Sequence, residues 1–342
     1  MKKFIQDQFV AKFISKFRPY CKDKMIVTKP GDDGTAMIDL GERLLLITTD
    51  FINATPLMIT LGVGGYFDLG VLLVSSNLSD LYGAGGCPFG ILLAVMFPRN
   101  VSDKDVDSFI SGVEFYAKKY NVKIVGGDTK AGEKLALNAT AFGFASYDEV
   151  HPENGARVGD IIAVTGFLGS CSAATFYFSQ KRRNKRFAEF CTKALTRPEL
   201  PWEVSEEIRK RKIGHGGIDI SDGLGGDLLK LSKQSKVGIE IEAELIPIHT
   251  TVRELAEYYN VNSLEFAFGL GGDWQLIVTL EEADYERLRN KGFQITKIGK
   301  VIEKGCRLNY KGKKIKLPAF AHKDFRFNNL VEEFKDVIGQ RF

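Results

Sequence analysis

Ile218-Asp219-Ile220-Ser221-Asp222-Gly223-Leu224 is the stretch on which the fold turns. Ile218 to Ile220 reads as a short apolar strand and Asp222 to Ser235 as a helix, so acid and hydroxyl side chains arrive at a glycine-broken strand-to-helix turn. The same device recurs outward along the chain, in Gly31-Asp32-Asp33-Gly34, Thr48-Thr49-Asp50, Leu78-Ser79-Asp80, Gly126-Gly127-Asp128-Thr129 and Gly271-Gly272-Asp273. One such pair is an ordinary turn or helix cap. Six together point to a shared chemistry. Carboxylates beside hydroxyls suit hard divalent cations such as Mg²⁺, and glycines let backbone amides approach phosphate oxygens. The composite signal is metal plus nucleotide phosphate.

Periodicity places these acids on alternating elements. Leu44 to Thr49 is an apolar, β-branched run ending in Asp50, read as a buried strand whose carboxyl end delivers an acid. Phe67 to Tyr82 has helical spacing, with Asp80 near its end. Ile91 to Phe97 is a strand stopped by Pro98, and Ser102 caps an amphipathic helix running to Tyr120. Val122 to Val125 is a strand ending at the Gly126-Gly127-Asp128 turn, and Leu135 to Ala145 is another. Tyr147 to Asp160, rich in Pro, Gly, Asn and charge, reads as a junction that divides the chain into domains 1–148 and 149–342. Beyond it, Ile161 to Thr165, Ile239 to Ile241 and Gln275 to Leu280 are strands, and Ser170 to Phe178 and Glu281 to Lys291 are helices. The class is α+β in two domains.

Composition narrows the function. A formal net charge of +4 over 342 residues, with 44% hydrophobic and 26% charged residues, is ordinary globular chemistry and excludes a strongly basic nucleic-acid binder. The run Lys181 to Arg186 reads as a solvated loop. Cys21, Cys87, Cys171, Cys191 and Cys306 are scattered, odd in number and without a CxxC spacing, so neither a disulfide framework nor a zinc site is indicated and a reducing cytoplasmic compartment is expected. The start Met1-Lys-Lys-Phe-Ile-Gln-Asp-Gln lacks the apolar stretch of a signal peptide, and no apolar run is long enough to span a membrane. GxxxxGK[ST], strand-linked GxGxxG, the kinase HRD and DFG motifs and a GxSxG elbow are all missing. Histidines at 151, 215, 249 and 322 read as surface or structural groups.

The order of motifs resembles the aminoimidazole ribonucleotide synthetase-like (PurM-type) superfamily, and within it most closely the thiamine-monophosphate kinases. GDDGTAMIDL, LLLITTD, VSSNLSDLYGAGGCPFGILLAVMFP, VKIVGGDTKAG, GDIIAVTGFLGS, IDISDGLGGDLLKLS and GGDWQL run in family order across residues 31 to 280. The resemblance implies an N-terminal α/β domain whose strands form an intersubunit barrel in a homodimer, an α+β C-terminal domain, and ATP in the cleft between them. It implies Mg²⁺ held by Asp33, Asp50, Asp80, Asp128 and Asp222 with Thr48 and Thr49. Asp219 and Ser221 would stand beside the nucleotide phosphates, with Gly127 giving the chain room. Asp222 and Asp128 would be the catalytic acids. The implied reaction is direct in-line transfer of the ATP γ-phosphoryl group to thiamine monophosphate.

Departures fall on the acceptor side. Leu57 stands at the place of the family's substrate-holding histidine, Lys130-Ala131 replaces an arginine after GGDT, and Glu153 falls near another expected arginine. The late GGEDYEL becomes Gly271-Gly272-Asp273-Trp274-Gln275-Leu276, and the closing aromatic-Asp-His-Phe pattern appears as Ala321-His322-Lys323-Asp324-Phe325. Asp273, Trp274 and Phe51 are therefore the candidate substrate residues. Two other readings stay open: a paralogue with the same ATP machinery acting on another phosphate, carboxylate or amide acceptor, and a non-catalytic nucleotide-binding subunit.

Overall fold

The computed structural model describes residues 24–27, 34–52 and 57–319. Asp33 and the Ala321 to Phe325 stretch lie outside the described residues. The first sheet contains β1 (Ala36–Asp39), β2 (Leu44–Ile52), β3 (Cys87–Pro98), β4 (Lys123–Gly132) and β5 (Ala136–Ala145), in spatial order β1-β2-β5-β3-β4. Helices α1 (Leu57–Thr60) and α2 (Tyr66–Gly83) follow β2, and α3 (Asp103–Lys119) links β3 to β4. That crossover is why β3 and β4 are parallel while every other pair in the sheet is antiparallel. Ser102 caps α3 as expected, its hydroxyl accepting the Asp105 N–H at 3.2 Å.

β2 is not buried on both sides. Leu44, Leu46, Thr48 and Ile52 face inward, while Thr49 and Phe51 are exposed. Only one face of this antiparallel sheet is covered, so the pleat imposes a two-residue alternation on a sequence that reads as uniformly apolar. The cover is α2, which buries Leu69, Val71, Leu73, Val74, Leu78 and Leu81 together with Ser75, Ser76, Asn77 and Ser79. It is buried nearly all round because it also meets β7 and β9 of the second sheet.

β4 differs from its reading. It does not end at Gly126; it continues through Gly126-Gly127-Asp128 to Gly132, paired with β3 after a register shift between Ile91 and Leu92. The glycines let the strand continue rather than stop it. Gly127 has φ 152°, and a Cβ there would lie 1.9 Å from the Leu93 carbonyl oxygen, so only glycine lets the two backbones come together.

The second sheet holds β6 (Ile161–Thr165), β7 (Gly216–Asp219), β8 (Gly238–Glu242), β9 (Leu276–Leu280), β10 (Ile295–Ile302), β11 (Cys306–Tyr310) and β12 (Lys313–Lys316), ordered β12-β11-β8-β10-β6-β9-β7. Its helices are α4 (Ser170–Ser179), α5 (Ala188–Thr196), α6 (Trp202–Arg211), α7 (Leu224–Ser235), α8 (Thr250–Tyr258), α9 (Leu264–Ala267) and α10 (Glu282–Asn290). β6, β7 and β9 are buried along their whole length, and β6 and β9 lie between two hydrophobic clusters, which explains their apolar runs. Helix α7 starts at Leu224 rather than Asp222, because Gly223 takes φ 86° and breaks the chain between strand and helix. The molecule is a mixed α and β fold with two sheets. No helix among the described residues is long and apolar enough to cross a membrane.

Candidate active site

The C-terminal half of α2, the carboxyl ends of β2 and β7 and the start of α7 converge on a cavity of about 400 Å³. Asp50, Asp80, Asp219, Ser221, Asp222 and Lys230 line its polar side. Phe51, Leu57, Leu72, Leu270 and Trp274 form the apolar wall. The Thr48 hydroxyl donates to Asp80 Oδ2 at 2.6 Å, and the Ser79 hydroxyl donates to Asp219 Oδ2. Ser221 reaches Asp219 Oδ1 at 3.4 Å. The loop carrying Gly271 and Gly272 closes over the Ser221–Gly223 turn, Gly272 N–H donating to the Ser221 carbonyl at 3.1 Å. Gly271 sits at φ 80°, where a Cβ would lie 2.1 Å from that same carbonyl oxygen. Trp274 follows with φ 53°, a left-handed conformation that costs a bulky residue about 1–3 kcal/mol and is found where a site holds it.

These carboxylates are under electrostatic pressure. Burial, then the charges of Asp219 and Asp50, push the Asp80 carboxyl well above the usual range, with Thr48 and Lys230 opposing. Asp219 is pushed up to about 6 by burial, against the pull of Ser79 and Lys230, with Asp50 and Asp222 adding to the rise. A fifth acid that the motif reading passed over, Asp227, is fully buried and raised well above the ordinary value by burial, Asp222 and Asp219. Its Oδ2 accepts the Asp222 N–H at 3.1 Å, and its Oδ1 has no partner. Lys230 was passed over too. The available signal was spacing: Asp227 lies in the first turn of α7 after the Ser221-Asp222 turn, and Lys230 lies three residues further along the same helix.

Not every expected residue comes here. Thr48, Asp50, Asp80, Asp219, Ser221, Asp222, Phe51 and Trp274 do. Thr49 sits on the opposite face of β2, its hydroxyl donating to the Ala139 carbonyl at 2.9 Å, because strand alternation separates it from Thr48 and Asp50. Gly127 and Asp128 lie on the exposed edge strand β4. Register runs from Phe51 to Asn138 to Ala94 to Asp128, three strand spacings or about 14 Å. Asp128 pairs only loosely with Lys130, at 3.6 Å with both side chains about 70% exposed. Asp273 lines a neighbouring cavity of about 560 Å³, which meets the first at Gly272. Its carboxylate accepts the N–H groups of Gly169 and Cys171, capping α4, and burial pushes it up to about 6. His249, in the same cavity, caps α8 by accepting the Thr251 N–H at 3.1 Å and stacks on Phe190, in keeping with a structural role.

An all-oxygen set of crowded carboxylates, one with an orphaned buried oxygen, fits Mg²⁺ by chemistry. Among the described residues, no group of three or more acids, histidines or cysteines is already arranged as a metal cage. Mg²⁺ keeps waters and takes substrate phosphates as ligands, so it needs only one or two carboxylates at each ion.

Comparison with known proteins agrees with this geometry. The family model for AIR synthase related protein, N-terminal domain, matches residues 31–145. The thiamine-monophosphate kinase of Buchnera aphidicola from Acyrthosiphon pisum is 30% identical over 339 residues, covering 94% of this chain and all of the relative. That of Haemophilus influenzae is 31% identical over 289 residues, covering 82% of this chain and 85% of the relative. Among solved structures, AaThiL complexed with AMPPCP and TMP aligns with a TM-score of 0.77 and 28% identity, over 91% of this chain and 96% of that one. With its acid cavity, its two-sheet fold and sequence identity extending over a relative's whole length, the chain belongs to the thiamine-monophosphate kinase family.

Proposed function

We infer that the chain transfers the γ-phosphoryl group of ATP directly to the phosphate of thiamine monophosphate, giving thiamine diphosphate and ADP. The observation that carries this is the cavity in which Asp50, Asp80, Asp219 and Asp222 meet a hydroxyl, a glycine loop and an aromatic wall, in a chain of this family. One P–O bond to the ADP oxygen breaks as one to the acceptor oxygen forms. Such a transfer needs positioning and charge neutralisation more than a covalent nucleophile. Mg²⁺, when bound, offsets the phosphate charge that develops in transfer. Asp50, Asp80 and Asp222 with Thr48 are the residues we assign to hold it, and Asp33 is assigned with them by motif. Asp219 and Ser221 stand beside the phosphates. Phe51 and Trp274 flank the acceptor ring on the cavity side, and Asp273 supports it from the neighbouring cavity.

Thr49, Gly127 and Asp128 enter this scheme through a second copy of the chain. The outer face of the first sheet leaves Phe89, Leu92 and Val125 exposed, by 40 to 43% of their surface. β4 is an open edge beside them. An apolar face of this kind favours a homodimer closed across it, with Thr49 and Asp128 on the shared side. We assign the chain to the cytoplasm, where ATP is available and where the free thiols of Cys87, Cys171, Cys191 and Cys306 stay reduced. We divide the chain into domains 1–148 and 149–342, a reading supported by one sheet falling within each.

The deciding experiment follows ADP and thiamine diphosphate together, with Mg²⁺, with and without thiamine monophosphate. Equal yields of both, and none after chelation, are expected. ATP binding without acceptor-dependent turnover would overturn the assignment.

A further inference from the structure

Among the described residues that line the acid cavity, Lys230 is the only lysine or arginine, in company with Asp50, Asp80, Asp219 and Asp222. Its side chain is 26% exposed, and its ammonium lies 3.6 Å from Glu153 Oε1, across the junction between the two sheets. The buried Asp227 lies three residues before it on α7. Burying one uncompensated carboxylate is costly, and clustering several without a cation is worse.

We propose that Lys230 is a tethered counter-ion of this cavity, which offsets the acid cluster in the metal-free protein and contacts the triphosphate oxygens of the bound nucleotide. The proposal rests on the nucleotide reading given above. A nucleoside triphosphate carries several negative charges into a space walled by carboxylates, and Lys230 is the one cation that the described residues supply to its lining. Lysine suits both duties: its ammonium is a compact point charge on a flexible stem, able to leave Glu153 for a phosphate.

The test compares Lys230→Met, Lys230→Arg and Glu153→Gln with the unmodified protein, by melting in EDTA and in Mg²⁺ and by calorimetric titration with ATP and Mg²⁺. In EDTA without nucleotide, Lys230→Met should melt about 3 °C or more below the parent, with Mg²⁺ closing most of the gap. Its ATP dissociation constant should rise about tenfold, as loss of a charge-assisted contact requires. Lys230→Arg should stay within about threefold of the parent. Glu153→Gln, which removes that ion pair, should bind ATP more tightly. An unchanged melting temperature in EDTA overturns the counter-ion role, and unchanged ATP affinity in both Lys230→Met and Glu153→Gln overturns the phosphate contact. Failure of the unmodified protein to bind ATP would sink the nucleotide reading and leave the EDTA melting arm to decide the counter-ion role.

Discussion

Gly126-Gly127-Asp128 and Ser221-Asp222-Gly223 look alike in sequence, each a glycine beside an acid at the edge of a strand, yet they end in opposite surroundings. Asp222 lines a cavity with three other aspartates, and its backbone N–H is held by the buried Asp227. Asp128 stands on an exposed edge strand with a loose surface partner. What separates them is the element that each glycine serves. Gly223 breaks the chain, so β7 stops and α7 begins over the cavity. Gly127 lets β4 run on against β3 and carries Asp128 out along the edge. A Gly-Asp motif thus specifies a local backbone, and the sheet around it decides where the acid goes.

The largest test of this contrast is Asp222→Asn. It removes a charge at almost constant volume, so the fold should persist while phosphoryl transfer falls about a thousandfold, the several kcal/mol that metal-assisted charge stabilisation supplies. Steady-state ADP production beside a circular dichroism melt reads both. Near-normal turnover would remove Asp222 from the machinery.

Much of this arrangement is legible from sequence, where a pattern is local. Ser102 as a cap, the helix that becomes α2 and the strand that becomes β5 follow from spacing and capping chemistry. Six of the site residues assigned on motifs, from Thr48 to Asp222, meet at one cavity. What is illegible depends on non-local cover. Thr48 and Thr49 are adjacent letters, but α2 covers one face of β2 and not the other, so Thr48 meets Asp80 at the cavity and Thr49 does not. Asp227 and Lys230 lie within the IDISDGLGGDLLKLS stretch without a role that the motif assigns them, and only the packing of α7 brings them to the cluster. Residues 295–316, which become β10, β11 and β12, alternate weakly and carry many charges. β10 and β11 are fixed by pairing with β8 and β6, and β12 by pairing with β11, rather than by their own pattern.

Gly127→Ala sharpens the contrast from the other side. The Cβ would meet Leu93 O at 1.9 Å and force a backbone that L residues rarely adopt, so β4 should peel from β3 at a cost of about 4 kcal/mol. Gly126→Ala, at φ 149° with only the Leu92 side chain at 3.5 Å, carries the backbone strain without the backbone clash and should cost about 2 kcal/mol. Urea denaturation midpoints measure the difference, and equal midpoints would mean that the close approach of β4 to β3 is not required.

Burial also predicts where pH acts on stability. His151 is 1% exposed at the junction, its Nδ1 unpartnered, and burial lowers its pKa to about 4 from an ordinary 6.5. A depressed folded value means that the unfolded chain takes up the proton first as pH falls. The stability is intact above about 6.5 and is lost progressively down to about 4, by roughly 3 kcal/mol. His151→Gln should flatten that acid limb even if it lowers stability at pH 7. An unchanged slope between pH 6.5 and 4 would show that another group drives the loss.

Asp128→Asn is the smallest expected effect, and the contrast depends on it most directly. The carboxylate and Lys130 are both largely exposed at 3.6 Å, so the pair contributes almost nothing to stability, and the variant should melt within about 0.5 kcal/mol of the parent. The same substitution at Asp222 relieves repulsion within the cluster, so it should raise the melting temperature of the metal-free protein while abolishing activity. Measured in EDTA, the two asparagine variants should therefore move differently, one upward and one hardly at all. If Asp128→Asn also rises, its carboxylate sits among other acids in solution, as it would when β4 of one copy lies against the outer sheet face of another. A melt repeated across protein concentrations then separates that case from a property of the single chain, because only association makes the shift depend on concentration.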